Sequence, residues 1–266
     1  MKNSKLLRKM LSLAMVLTII STTISPALAS TINPCSTLHS TNTGKKIPST
    51  LVKKQKEAKL NALYLQAVAD SRTIEPKEIL PVVSISKNRN MVTWNDKGDK
   101  VLLLTWHKYP DSYVDGTIAN LKWGEVWTFT DKEMKKWVAE NGAPSELRLE
   151  QLLGLPIDKD YTHITALWVN PADVVRPAYT YSASESVITT YFLTLPDDEY
   201  LNWFNNNIKL SYEDSSFPWT RLGYTYDWAD NGTEYGLSEF IIKKGSDVEV
   251  AYTLPTKEFF KSLTNK

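Results

Sequence analysis

The chain of 266 residues is nearly without cysteine. Cys35 stands alone, so no intrachain disulfide can form and stability must come from a hydrophobic core, for which the length suffices. Histidine is almost as scarce. There are three, and His39 falls in a low-complexity stretch, which argues against a zinc site built on three imidazoles. The ten glycines are scattered, and none forms a loop that cradles a phosphate. The patterns H-E-x-x-H, G-x-S-x-G and C-x-x-C are missing as well. No metal and no cofactor is expected.

Long apolar runs are also lacking beyond the N-terminus. Residues 1–29 have a basic start (Lys2, Lys5, Arg8, Lys9), an apolar centre and the small-residue site Ala27-Leu28-Ala29, the pattern of a cleaved secretory signal peptide, with a retained anchor as the alternative. Past it nothing approaches the ~18 apolar residues of a spanning helix, so no integral membrane span is expected in the mature form. The residues before Cys35, Thr31-Ile32-Asn33-Pro34, lack the usual small-residue pattern of a lipidation site, which leaves a free, exposed thiol as the expectation. Removing the signal takes away four positive charges, so the chain goes from +1 to −3. Segment 45–60 then holds +5 and the body −8, a distribution that argues against nucleic acid as the partner.

What is present reads as three parts: the signal (1–29), a flexible Ser/Thr-rich tether (30–50) and a single domain (51–266) opening on a basic helix. In that helix Leu60, Leu63, Tyr64, Ala67 and Val68 share one face. Short strands are expected at 82–86 and 91–95, the second paired through the turn 96–99 in a hairpin reaching to His107. The run 101–107 is apolar on both faces and reads as a central strand. A strand at 123–129 follows, then a helix opened by a Thr130/Glu133 capping box and closed by Gly142. A second helix starts at Ser145 and stops at Gly154-Leu155-Pro156; strands are expected at 163–169 and 187–193, and Asp197 with Asp198 opens another helix. Strands at 221–228, 235–243 and 248–254 carry hairpin signals at Asn231-Gly232 and Gly245-Ser246-Asp247, and a short helix closes the chain. Strands and helices mix without βαβ alternation. The expected class is α+β, a mainly antiparallel sheet with packed helices.

Three groups of residues could carry chemistry. Trp123, Glu125, Trp127 and Phe129 share a strand face by the period of two, and a carboxyl among rings suits a general acid or a sugar contact. The alternative is an edge glutamate in solvent. His107 ends the central strand, followed by a loop with Tyr109 and Tyr113, while His163 opens its own strand; each can also be a hydrogen-bonded structural histidine. Glu239 alternates with Leu237 and Ile241 on an apolar face and so requires a cation, for which Arg148, Arg176 and Arg221 are the candidates in that order. Those arginines could equally hold an anionic ligand. All nine tryptophans lie between residues 94 and 228, more indoles than a core of this size requires, so some should line a groove.

The segments LTWHKYPDSY, WGEVW, RLEQLLGLP, YTHITALWVNPADVVRPAY and PWTRLGYTYDW resemble a family of uncharacterised bacterial secreted or envelope proteins, over about residues 100–243. The resemblance implies export and one domain, and no activity, cofactor or site residue. The functional expectation is a non-catalytic envelope protein that binds a cell-wall glycan, a peptide or an extracellular protein. Two alternatives stay open: a metal-independent hydrolase or transferase using a His/Glu pair, and a purely structural or protein-interaction domain.

Overall fold

The structure, a computed structural model, describes residues 48–87, 90–157, 159–214 and 216–264. The expected signal, Cys35, His39 and most of the expected tether lie outside the described residues. All described residues belong to one compact unit, Ile47–Lys266.

Helix α1 (Ser49–Asp70) begins two residues inside the stretch expected to be tether. Its basic first half is exposed, whereas Tyr64, Ala67 and Val68 are buried against Tyr226 and Trp228. The strands are β1 (Val101–His107), β2 (Ile118–Asn120) and β3 (Val126–Thr130). Helices α2 (Asp131–Asn141) and α3 (Glu146–Leu152) follow, then β4 (His163–Val169), β5 (Val174–Val175) and α4 (Asp198–Lys209). The chain closes with β6 (Tyr224–Tyr226), β7 (Tyr235–Ile242), β8 (Asp247–Pro255) and α5 (Thr256–Thr264).

The strands form one sheet in the order β2-β8-β4-β1-β3-β7-β5, with β6 beside β7, and all pairs are antiparallel. The fold is therefore α+β. Every residue of β1 is buried, as its two-sided apolar run requires. The turn at Gly245 does not close a hairpin, because β4, β1 and β3 stand between β7 and β8. In a flat sheet those two strands would be about 19 Å apart, and the link 243–246 reaches no more than about 18 Å. The sheet curls. On one face Leu103, Leu167, Phe240, Ile242, Val248 and Val250 meet in a common cluster across that curl. On the other, Leu104, Ile164 and Leu237 pack on Met134, Leu149 and Phe259 of the helices.

Several local expectations are corrected. Segment 82–86 is extended but unpaired as a strand, held by Val82 N–H to Ser186 O (3.1 Å) and Ile85 N–H to Ala183 O (2.8 Å). Segment 91–95 contributes one bridge, Trp94 to Val101. The third strand starts at Val126, because Lys122 and Trp123 form a turn. Segment 187–193 is no strand: Val187, Tyr191 and Leu193 are exposed, and no sheet edge accepts them. The expected strand 221–228 shrinks to β6, since Arg221 (φ 59°) and Gly223 (φ 79°) are left-handed and break the extended backbone. Only half of the capping box forms. Thr130 Oγ1 accepts from Glu133 N, but the Glu133 carboxyl turns away and accepts from Ser238 N (2.9 Å) and Ser238 Oγ (3.0 Å), tying α2 to β7.

Gly236, where β7 crosses the end of α3, has no room for a side chain. A Cβ there would overlap Leu152 O, Thr225 O and Thr225 Oγ1, all in buried structure. Gly236→Ala is expected to cost about 2–4 kcal/mol, measured by urea denaturation, because backbone must move to admit one methyl group.

Candidate functional site

A cavity of about 390 Å³ opens beside the ends of β1, β3 and β7. Thr105, Trp106 and His107 of β1, Trp127 and Phe129 of β3, and Glu239 of β7 line it. The segment after α4 closes another side: Leu210 and Ser211, from a π-helical turn (Leu210–Asp214), are followed by Phe217 and Trp219. Such turns are enriched at functional sites because they displace side chains from the regular helical register.

The strand period places Glu239. Leu237 and Ile241 are buried on its face, as expected, and Phe129 lies opposite it in register. Its carboxyl makes no hydrogen bond or ion pair with any described residue. Burial pushes its pKa up to about 8, and the more distant charge of Arg176 pulls against that without reversing it.

The expected arginine partner is thus absent, and each candidate is engaged elsewhere. Arg148, the first choice, makes a two-pronged pair with Asp227 (2.9 and 2.5 Å) and lies over the Trp137 ring. Arg221 donates to Ser71 O (2.9 Å) and Arg72 O (2.8 Å). Arg176 is completely buried: it donates to Gly223 O (3.2 Å), Val83 O (2.6 Å) and Glu185 O (3.0 Å), with its guanidinium 4.6 Å from the Phe240 ring centre. None of the three lines the cavity. Their terminal N–H donors go to main-chain carbonyls and one carboxylate, with Nε of Arg176 and of Arg221 left without a partner, so they hold the fold rather than an anionic ligand.

His107 lines the cavity with both ring nitrogens occupied. Tyr109 N–H donates to Nδ1 (3.1 Å), which places the proton on Nε2, facing Thr165 Oγ1 (2.7 Å). The relay continues from Thr165 to Thr253 Oγ1 (2.8 Å) and from there to Tyr113 O (3.0 Å). Burial, and secondarily the neighbouring His163, lowers the His107 pKa to about 4, so the ring stays neutral. His163 sits across from His107 in register but bonds Thr162 Oγ1 (2.8 Å) and does not line the cavity. Neither histidine meets a carboxylate among the described residues. A His/Glu pair is not assembled.

Glu125 stands at the exposed margin of the cavity, where the Trp203 indole N–H donates to its Oε1 (3.3 Å). Trp127 and Tyr113 belong to the wall. Trp123, 89 % exposed on its turn, and the exposed Tyr109 lie outside it, each with a neighbouring lysine, Lys122 or Lys108, over its ring. The wall residues that sequence reasoning missed are Tyr161, Asn207, Phe217 and Trp219. Asn207 had a readable signal. It sits three residues after buried Phe204 and seven after Tyr200, hence on the inner face of α4, and a polar residue there is anomalous. It is 7 % exposed, and its Nδ2 has no hydrogen-bond partner.

A second acidic group lies elsewhere. Asp70, Glu78 and Glu234 bring carboxylate oxygens within 4.8 Å of one another, the arrangement that could hold a cation. Protein donors already serve it: Tyr226 O–H to Asp70 (2.9 Å), Glu75 N–H to Glu78 (2.7 Å) and Lys77 near Glu234 (3.9 Å). The Glu234 pKa is raised by burial and by the adjacent carboxyls, so the group relieves its repulsion by holding a proton. No protein family matches this chain, and no curated protein or solved structure matches it.

Proposed function

We propose that the domain is a non-catalytic binding module of an exported envelope protein, which takes a glycan or a peptide into the aromatic-walled cavity. The carrying observation is the lining itself: Trp106, Trp127, Tyr161 and Trp219 beside the unpartnered polar groups of Glu239 and Asn207. Apolar walls with a few convergent polar groups are the common form of a ligand site. The hydrolase alternative needs a histidine nitrogen free to take a proton, and both nitrogens of His107 are engaged. The basic first half of α1 suits contact with an anionic cell surface.

Trp127→Ala tests the cavity as the site. Binding of purified cell-wall glycan fragments and secreted peptides should weaken by about tenfold or more, as loss of an aromatic contact in a buried site does, with the melting temperature nearly unchanged. Equal binding by the variant would refute the assignment.

A further inference from the structure

The cavity holds an acid that no group among the described residues pairs with. The Glu239 carboxyl lines it without a hydrogen bond or ion pair to any described residue. Glu239 is half-buried, and a carboxylate that loses part of its hydration needs a donor or a cation in return. Asn207 is a second case on another element, with its buried Nδ2 unpartnered. No lysine or arginine lines the cavity, and Glu125 adds a second acid at the margin. Arg176, the cation whose field reaches Glu239, has its guanidinium on main-chain carbonyls.

We propose that the cavity binds a ligand through a primary ammonium group, with Glu239 as its counter-ion and the Asn207 side-chain amide as a second contact. This rests on the reading of the cavity as the binding site. An anionic ligand would face two carboxyl groups and no cation. A neutral hydroxyl could satisfy Asn207 and the protonated Glu239, but it brings no charge to hold the carboxylate as pH rises toward about 8. An ammonium brings three donors and a charge. Turning the Asn207 amide by half a turn puts its acceptor Oδ1 where the unpartnered Nδ2 now lies. The rings of Trp106, Tyr113, Trp127 and Trp219 attract a cation over their faces as well. The ammonium could belong to a lysine side chain of a peptide or to an amino sugar.

The proton balance follows from burial. In the free cavity Glu239 titrates at about 8 and is a neutral acid near pH 7. A bound ammonium favours the carboxylate, so the carboxylic proton passes to solvent while the ligand keeps its own. About one proton is released per ligand below that pKa. Around the cavity His107 on β1 is neutral down to about 4. Tyr113, Tyr161, Tyr224 and Tyr226 are all shifted upward by burial, away from this range. Glu125 at the margin, Arg176 behind β7 and Lys159, whose ammonium lies 5.1 Å from the centre of the Phe217 ring of the wall, are the other charged groups around it.

Isothermal titration with Nα-acetyl-lysine amide, glucosamine and neutral N-acetylglucosamine tests the proposal. The amines should bind at least about tenfold more tightly than the neutral sugar near pH 7, and the affinity of Nα-acetyl-lysine amide, which keeps its proton throughout, should rise by about tenfold per unit from roughly pH 6 to pH 8, then level off. The tighter of the two amines identifies peptide or amino sugar as the source. Glu239→Gln, isosteric with the protonated acid, should stay folded, lose about tenfold or more in amine affinity and lose the pH dependence. Binding of N-acetylglucosamine as tight as that of the amines and independent of pH overturns the ammonium inference, as does absence of amine binding up to about 10 mM. In either case, cell-wall fragment binding that is lost in Trp127→Ala keeps the proposed function. Fragment binding unaffected by Trp127→Ala overturns that function instead.

Discussion

Replacing Glu239 by glutamine should stabilise the fold at pH 8 by about 2–4 kcal/mol, roughly 5–10 °C in melting temperature, while changing it little near pH 5. The sign follows from the direction of the shift. In the unfolded chain this carboxyl titrates at 4.5, and in the folded chain at about 8. Between those values folding takes up a proton. Stability is therefore highest below 4.5 with respect to this group, and it declines as pH rises toward 8. The full interval corresponds to an upper limit of about 5 kcal/mol, reduced because the group keeps some contact with solvent. Glu133, pushed up to about 7 chiefly by burial, adds a decline of the same sign in the native protein. Glutamine cannot titrate and removes only the Glu239 part. Calorimetric scans of both proteins at pH 5 and pH 8 measure the difference. A loss of about 3 kcal/mol at both pH values would instead mean that Glu239 serves as the buried counter-ion of Arg176.

Arg176→Met should be the most damaging change in the core, with an expected loss of about 3–5 kcal/mol. The side chain is wholly buried and its donors reach the carbonyls of Val83, Glu185 and Gly223, with Ala183 O at 3.5 Å. Methionine fills much of the volume but leaves those oxygens without donors, at about 1–3 kcal/mol for each that water cannot reach. Two of the anchored segments, 82–86 and 183–186, are not strands and depend on such ties. Their amides, Val82 and Ile85 first, should exchange much faster with deuterium in the variant, while those of β1 and β4 slow-exchange as before. Arg176→Lys should recover only part of the loss, since one ammonium cannot span the positions that the planar fork reaches. A cost under about 1 kcal/mol for Arg176→Met would show that the carbonyls find other donors.

The elements that could be read from sequence are those whose cause is local. β1 and β4 occupy the ranges expected of them, because seven consecutive residues of suitable polarity suffice to mark a buried strand. Thr130 and Ser145 open their helices as expected, accepting from the N–H groups of Glu133 and Arg148, and Asp197, expected as negative charge at a helix start, caps α4 by accepting from Tyr200 N–H. Segment 187–193 shows the limit. Its β-branched composition suits a strand, but a strand also needs a free edge to pair with, and composition carries no record of edges.

The candidate site divides in the same way. Alternation along β7 was enough to mark Glu239 as an acid on an apolar face, and the spacing of Trp127 and Phe129 held. Which cation would meet that acid was beyond the sequence. The choice among Arg148, Arg176 and Arg221 was made by carbonyls and a carboxylate far away in the chain, such as Ser71 O for Arg221 and Asp227 for Arg148. The order β2-β8-β4-β1-β3-β7-β5, the curl that lets 243–246 join separated strands, and the lining of one cavity by both Asn207 and Glu239 likewise exist only in three dimensions. Periodicity and capping act over a few residues and leave a trace in them. Pairing and cavity formation depend on contacts between segments whose separation along the chain sets no distance in space, so the tertiary structure alone decided them.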